Sequence, residues 1–236
     1  MKHKEITVIG KGIYTIPEAA RLVKVSSQRI TRWIAGYSRG GVSYPPLWES
    51  ELQINDEEQF DLISFADLME AKVIAAFYEH GVQIQTVRKA IDRAKESFQL
   101  ERPFSSEKFE TDGKRIFIDL QDACSEDTGF MDVVTTQTAF KEIIQPTFKN
   151  IEFENSTAVR WWPLGTNRSI VVDPSRALGK PITNTSSVPV DTLIDALDMK
   201  LGEKPSKKEV ERVARLFEVD TTVVTDAAEF NIQYAA

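Results

Sequence analysis

The sequence predicts a mainly α, α+β protein: a helix–turn–helix near the amino end, a central β-hairpin region and a small three-helix unit at the carboxyl end. Three observations carry this. Apolar residues recur at helical spacing behind recognisable caps over residues 15–98 and 190–234. Strand-like runs and an Asp-Gly step concentrate between them. Positive charge gathers at one end: residues 1–40 hold eight Lys and Arg against Glu5 and Glu18, a net +6, which leaves −13 on the other 196 residues of a −7 chain.

The first helix opens on TIPEAARLV. Thr15 and Glu18 have capping-box spacing, Pro17 sits in the first turn where its missing N–H costs little, and Ala19, Ala20, Leu22 and Val23 are apolar. KVSS then turns the chain. Ser26 can cap a second helix, SQRITRWI, in which Ile30, Trp33 and Ile34 fall at i, i+3 and i+4 and face inward. Gln28, Arg29, Thr31 and Arg32 are left outside, and Gly36 stops the helix. This is a helix–turn–helix pattern. The start of its second helix carries Ser, Gln and Arg, the residue types that read base edges and phosphates in a major groove. Ser26, Ser27, Gln28, Arg29 and Arg32 are therefore the candidate groove residues, with Lys24, Tyr37 and Arg39 for phosphates. The next segment, YSRGGVSYPPLW, reads as a loop suited to a wing. An αα-hairpin with a solvated basic face fits the same local pattern and stays open.

SFADLMEAKVIAAFYEHG is a helix capped by Ser64, with Asp67 three residues on and Gly81 as terminator. QIQTVRKAIDRAKESF puts Ile84, Val87, Ile91, Ala94 and Phe98 on one face in support of the first module. His80, in the last turn before Gly81, suits the helix C-terminus better than a metal. KFETDGKRIFID reads as a β-hairpin, with Phe109, Ile116 and Ile118 around the Asp-Gly turn. The carboxylates Asp119, Asp122, Glu126, Asp127 and Asp132 match no calcium-loop spacing and read as a solvated loop. A short helix broken near Pro146 and a strand follow; Trp161 and Trp162 in RWWPLG suit packing against a core or a second subunit. SIVVDP is a buried-strand run, VPVDTLIDALDM a helix, Ser206 caps KKEVERVARLFEV, and VVTDAAEFNIQY is a last helix with Val224, Ala228 and Phe230 inward.

Residues 218–236 carry Glu218, Asp220, Asp226 and Glu229 and no Lys or Arg, a poor match to a phosphate backbone. This end is expected to face a protein partner through Asp226, Glu229 and Phe230, or to dimerise. No apolar run reaches the roughly 20 residues that cross a bilayer, and the start lacks a signal-peptide pattern. One cysteine, Cys124, allows no internal disulfide and suits a reducing cytoplasm. Only His3 and His80 exist, with no phosphate loop, no catalytic Ser/His/Asp arrangement and no Cys/His zinc spacing, so neither an enzyme nor a cofactor is expected.

IYTIPEAARLVKVSSQRITRW resembles a MerR-like helix–turn–helix, and LISFADLMEAKVIAAFYEHGVQIQTVRKAIDRA resembles the helices that follow it there. RPFSSEKFETDGKRIFID, RWWPLG, VVDPSRALGKPITNTSSVPVDTLIDAL and the closing AEF are similar, in order, to VapB-like bacterial antitoxins of the domain-of-unknown-function 433 group, encoded beside a PIN-domain ribonuclease toxin. The resemblance implies an antitoxin that binds a PIN-like toxin and represses its own operon as a homodimer on operator DNA. Read along the chain, residues 1–100 are expected to form a MerR-like winged DNA-binding domain, 101–168 a β-rich connection and 169–236 a helical domain of a cytoplasmic protein. A stand-alone regulator that senses a ligand near Trp161 and Trp162 is the alternative. Pro103 rules out the long coiled coil of MerR dimers, and a lone Cys124 does not carry over metal sensing.

Overall fold

A computed structural model describes residues 9–52, 62–113, 143–199 and 203–234. Lys2, His3, Lys4 and Glu5, the expected strand with Ile116 and Ile118, and the acidic stretch with Cys124 lie outside those residues.

The chain opens with β1 (Tyr14–Thr15), α1 (Ile16–Val23) and α2 (Ser27–Ala35), then a hairpin of β2 (Tyr37–Arg39) and β3 (Val42–Tyr44). β4 (Leu62–Ile63) pairs antiparallel with β1, Tyr14 opposite Ile63, which sets the start of α1 beside the start of the next helix. That helix, α3 (Phe65–Glu79), and α4 (Ile84–Phe98) complete this half. Thr15 and Ser64 close reciprocal capping boxes with Glu18 and Asp67, so both helix starts are those the spacing predicts. α3 is the central helix: Phe65, Leu68, Met69, Val73, Ile74 and Phe77 are all buried.

The segment expected as loop after α2 is a two-stranded hairpin. Gly40 and Gly41 both take positive φ, as the type I′ two-residue hairpin turn requires. The expected hairpin near residue 110 is overturned, because residues 107–113 are helical. Gly113 does not adopt the positive φ of a turn; it stands four residues after Phe109 with a position for Cβ 3.1 Å from the Phe109 ring. A bare glycine on the helix lets that ring lie flat against it.

The second half begins with α5 (Gln145–Phe148), which has Pro146 in its first turn. A four-stranded antiparallel sheet follows in the order β5 (Ile151–Glu154), β6 (Thr157–Trp161), β7 (Ile170–Val172), β8 (Pro181–Thr183). Then come α6 (Val190–Leu197), α7 (Lys207–Leu216) and α8 (Thr221–Tyr234). Val190, Leu193 and Leu197 anchor α6 in the same apolar cluster as Val213 and Ala214 of α7 and Val224 and Ala228 of α8. That cluster runs from Tyr14 to Tyr234. Its spine is a chain of rings from α3 to the sheet, Phe77, Phe104, Phe109, Phe148 and Phe153, with successive centroids 4.2–6.2 Å apart.

Candidate nucleic-acid interface

The turn between α1 and α2 is closed by the backbone. Val25 N–H donates to the Ala20 carbonyl at 3.0 Å and Lys24 N–H to Arg21 at 3.3 Å, with Lys24 in the left-handed region at φ 58. Ile30, Trp33 and Ile34 of α2 are buried as the spacing predicts. Ser26, Gln28 and Arg32 are exposed, while Ser27, Arg29 and Tyr37 are half-buried. Ser26 stands at the N-cap of α2 without a side-chain cap bond, and only its carbonyl takes a first-turn donor, the Arg29 N–H at 2.9 Å.

Arg29 is held from outside its own helix. Its guanidinium lies 3.7 Å from the centre of the Tyr78 ring and donates to the Tyr78 hydroxyl at 2.7 Å. Arg32 lies 5.8 Å from the Tyr37 ring, which stacks on Tyr44 across the hairpin at 4.7 Å. Arg39 is exposed on β2. Arg29, Arg32, Arg39, Tyr37, Tyr78 and Ile84 line one open groove of about 540 Å³. Among the described residues, none of these three arginines has an ion-pair partner. Three unneutralised guanidiniums on one groove make a field for an anion.

Two devices hold this groove in shape. Gly36 takes φ 72 and ψ −175, and a Cβ there would meet the Tyr44 carbonyl oxygen at 2.5 Å. Arg88 of α4 donates to the Pro45 and Pro46 carbonyls at 2.7 and 2.8 Å, pinning the exit of the hairpin. Beyond it, the buried Asp67 carboxylate accepts from Trp48 Nε1, Ser50, the Glu51 N–H, Ser64 and Arg102 at 3.0–3.1 Å. The spacing finds Asp67 only as a capping partner. Its wider role, like that of Tyr78, comes from chain segments distant in sequence. His80 does sit at its helix end, with Nδ1 2.8 Å from the Ala76 carbonyl oxygen.

The acidic residues of α8 are placed differently from expectation. Phe230 is only 3% exposed and Asp226 only 5%. Asp226 accepts from Arg168 Nε at 2.8 Å and from the Ser169 N–H at 2.7 Å, and Glu229 also pairs with Arg168. The helix lacks basic residues of its own, but a loop supplies the counter-charge. Asp226 and Phe230 are thus interior to the chain, and Glu229 alone of the three is half-buried.

The fold and this face place a helix–turn–helix at the amino end of the chain. The family described as "Putative DNA-binding HTH domain" matches residues 12–91. Over 197 residues the chain is 24% identical to "Putative antitoxin VapB45" of Mycobacterium tuberculosis (strain ATCC 25618 / H37Rv), covering 78% of this chain and 82% of that protein. The crystal structure of Rv2018 from Mycobacterium tuberculosis has the same fold, with a TM-score of 0.68 at 20% identity over 91% of this chain and 96% of that one. Among the described residues, no helix is long and apolar enough to cross a membrane.

Proposed function

We propose that the chain is a DNA-binding antitoxin, a binding protein rather than an enzyme, that represses its own operon. The observation that carries the DNA half is the open groove of unpaired arginines at α2 and its hairpin. In this reading α2 enters the major groove. Ser26, Ser27, Gln28, Arg29 and Arg32 meet base edges there, while Lys24, Tyr37 and Arg39 meet phosphates with the hairpin as a wing. The unbonded N-cap of α2 suits a phosphate oxygen as well. The antitoxin half rests on similarity to VapB45 over most of both chains.

The finer reading is a homodimer on two half-sites, bound to a PIN-like ribonuclease toxin. Residues 1–100 would read DNA, 101–168 connect and 169–236 serve assembly. Since Asp226 and Phe230 are interior, a toxin-facing surface on α8 would have to use Glu229 and its exposed neighbours. The deciding experiment is fluorescence anisotropy with a duplex from upstream of the chain's own reading frame, at two salt concentrations, with wild type and Arg32→Ala. Saturable binding that weakens about 5- to 150-fold in the variant supports the reading, as a base contact worth about 1–3 kcal/mol implies. Equal binding by both proteins would overturn it. Co-purification with the product of an adjacent nuclease-like frame tests the toxin half separately.

A further inference from the structure

A second cavity, of about 280 Å³, lies between the helix–turn–helix and the carboxyl-terminal half. Leu22, Val23, Ala75, Ile143 and Pro146 give it one apolar side, and Thr147 and charged side chains give it a polar one. Two lysines from different elements converge on it. Lys72, in the middle of α3, has Nζ 5.3 Å from the centre of the Trp161 ring. Lys24, in the turn before α2, has Nζ 4.5 Å from the centre of the Tyr234 ring. Neither has an ion-pair partner within bonding distance among the described residues. Glu79 and His80 also line the cavity, and Glu79 is the acidic group whose charge reaches Lys72.

Packing alone does not call for this arrangement. Burial pushes Lys72 down to about 8 despite Glu79, and Lys24 adds like-charge repulsion. A methionine would cover Trp161 with the same stem and no desolvation penalty. Lys24 also occupies a left-handed position that favours Gly or Asn, since other side chains crowd the carbonyl there. Two costly features thus bring two ammonium groups to one cleft with an apolar side.

We propose that this cleft binds a small organic carboxylate with a compact apolar body. The carboxylate sits between Lys24 and Lys72, and the body lies against the apolar wall. The anion would neutralise both ammonium groups, and the cavity volume limits the ligand to less than drug size. Because Lys24 belongs to the turn that launches α2, the occupant would touch the reading head and α8 at once. Lys24 is also one of the phosphate contacts proposed above, so the test measures carboxylate binding with neither DNA nor toxin present, and its outcome is independent of theirs.

The test is isothermal titration of the full chain at pH 7 with benzoate, and with benzamide as its uncharged analogue. Benzoate is expected to bind saturably and benzamide not to bind. Lys72→Met and Lys24→Met keep the stems and remove the charges, and each should weaken benzoate at least tenfold. Lys24 is exposed, so its variant carries the test even if Lys72→Met fails to fold. Absence of saturable benzoate binding, equal binding of benzamide, or unchanged affinity in Lys24→Met would each overturn the proposal.

Discussion

Tyr78 shows how a side chain absent from the sequence reading can hold one proposed to meet DNA. Arg29 carries a flexible stem, and stacking on Tyr78 fixes its direction. An exposed cation–π contact is worth about 0.5–1 kcal/mol, so Tyr78→Ala should weaken operator binding about 2- to 5-fold while Tyr78→Phe, which keeps the ring, loses less. Anisotropy titrations separate the two, and equal losses would mean that the hydroxyl and not the ring positions Arg29. The inward set Ile30, Trp33 and Ile34 is legible from spacing, because helical period alone decides it. The partner of Arg29 is not, since it lies 49 residues away. Glu70 is a comparable case. Buried on α3, it accepts from the Ser105 N–H at 2.8 Å through one oxygen. Its other oxygen finds no partner among the described residues, and burial pushes its pKa up to about 8. Between the ordinary carboxylate range and that value, the folded state holds a proton that the unfolded chain releases. Stability therefore falls as pH rises through the interval, by at most about 1.4 kcal/mol per pH unit. Glu70→Gln removes the titration, so it should be more stable than the parent at pH 8 and close to it near pH 4.5. Parallel urea midpoints at both pH values would refute this assignment.

At the scale of elements, caps are readable and short strands are not. Thr15, Ser64 and Ser206 are the caps the sequence predicts, and each closes a box with an acidic residue three positions on. The hairpin of β2 and β3 has three-residue strands, too short for an alternation to register, and its Pro45-Pro46 exit reads as loop. Residues 107–113 mislead in the opposite sense. Asp-Gly after a polar–apolar alternation has the local look of a turn, but the Phe109 ring joins the aromatic spine and the backbone follows it into a helix. Tertiary packing overrides the local preference there. Gly36, by contrast, is a stop signal that also fixes the hairpin. Its φ and ψ lie in a region nearly reserved for glycine, and such strain costs of order 1–3 kcal/mol for other residues. The close approach to the Tyr44 carbonyl adds to that. Gly36→Ala should therefore lower the urea midpoint and weaken DNA binding together, by displacing β2 and Arg39. A variant with wild-type stability and wild-type binding would show that the hairpin does not depend on this contact.

At the scale of the molecule, the charge asymmetry is legible in the sequence, but its consequence at the carboxyl end is not. A helix without Lys or Arg reads as an open acidic surface until Arg168, 58 residues before Asp226, arrives to neutralise it. The three-part division of the chain meets a similar difficulty, because the apolar cluster crosses both proposed boundaries. The contact between the first and last parts is polar as well as apolar. Tyr14 donates its hydroxyl to the Gly179 carbonyl at 2.8 Å, and the Ile13 N–H donates to Leu178 at 2.8 Å. Burial, with help from the negative charge of Asp173 and Glu18, raises the Tyr14 hydroxyl well above the usual tyrosine range, so it remains a donor at every working pH. Gly179 has φ +83, and a Cβ on it would stand 2.4 Å from the Tyr14 hydroxyl oxygen. Gly179→Ala must therefore displace Tyr14, beside β4 and the start of α1, although it lies in the far half of the sequence. Tyr14→Phe removes only the hydrogen bond and should cost about 1 kcal/mol, whereas Gly179→Ala should cost more. If the halves fold as one unit, far-ultraviolet ellipticity and tryptophan fluorescence will report one coincident unfolding transition, shifted to lower urea in both variants. Separate transitions, with Gly179→Ala moving only one, would instead make the amino-terminal reading head an autonomous domain. The turn at Lys24 would then be free of the carboxyl-terminal half that the shared core otherwise couples to it.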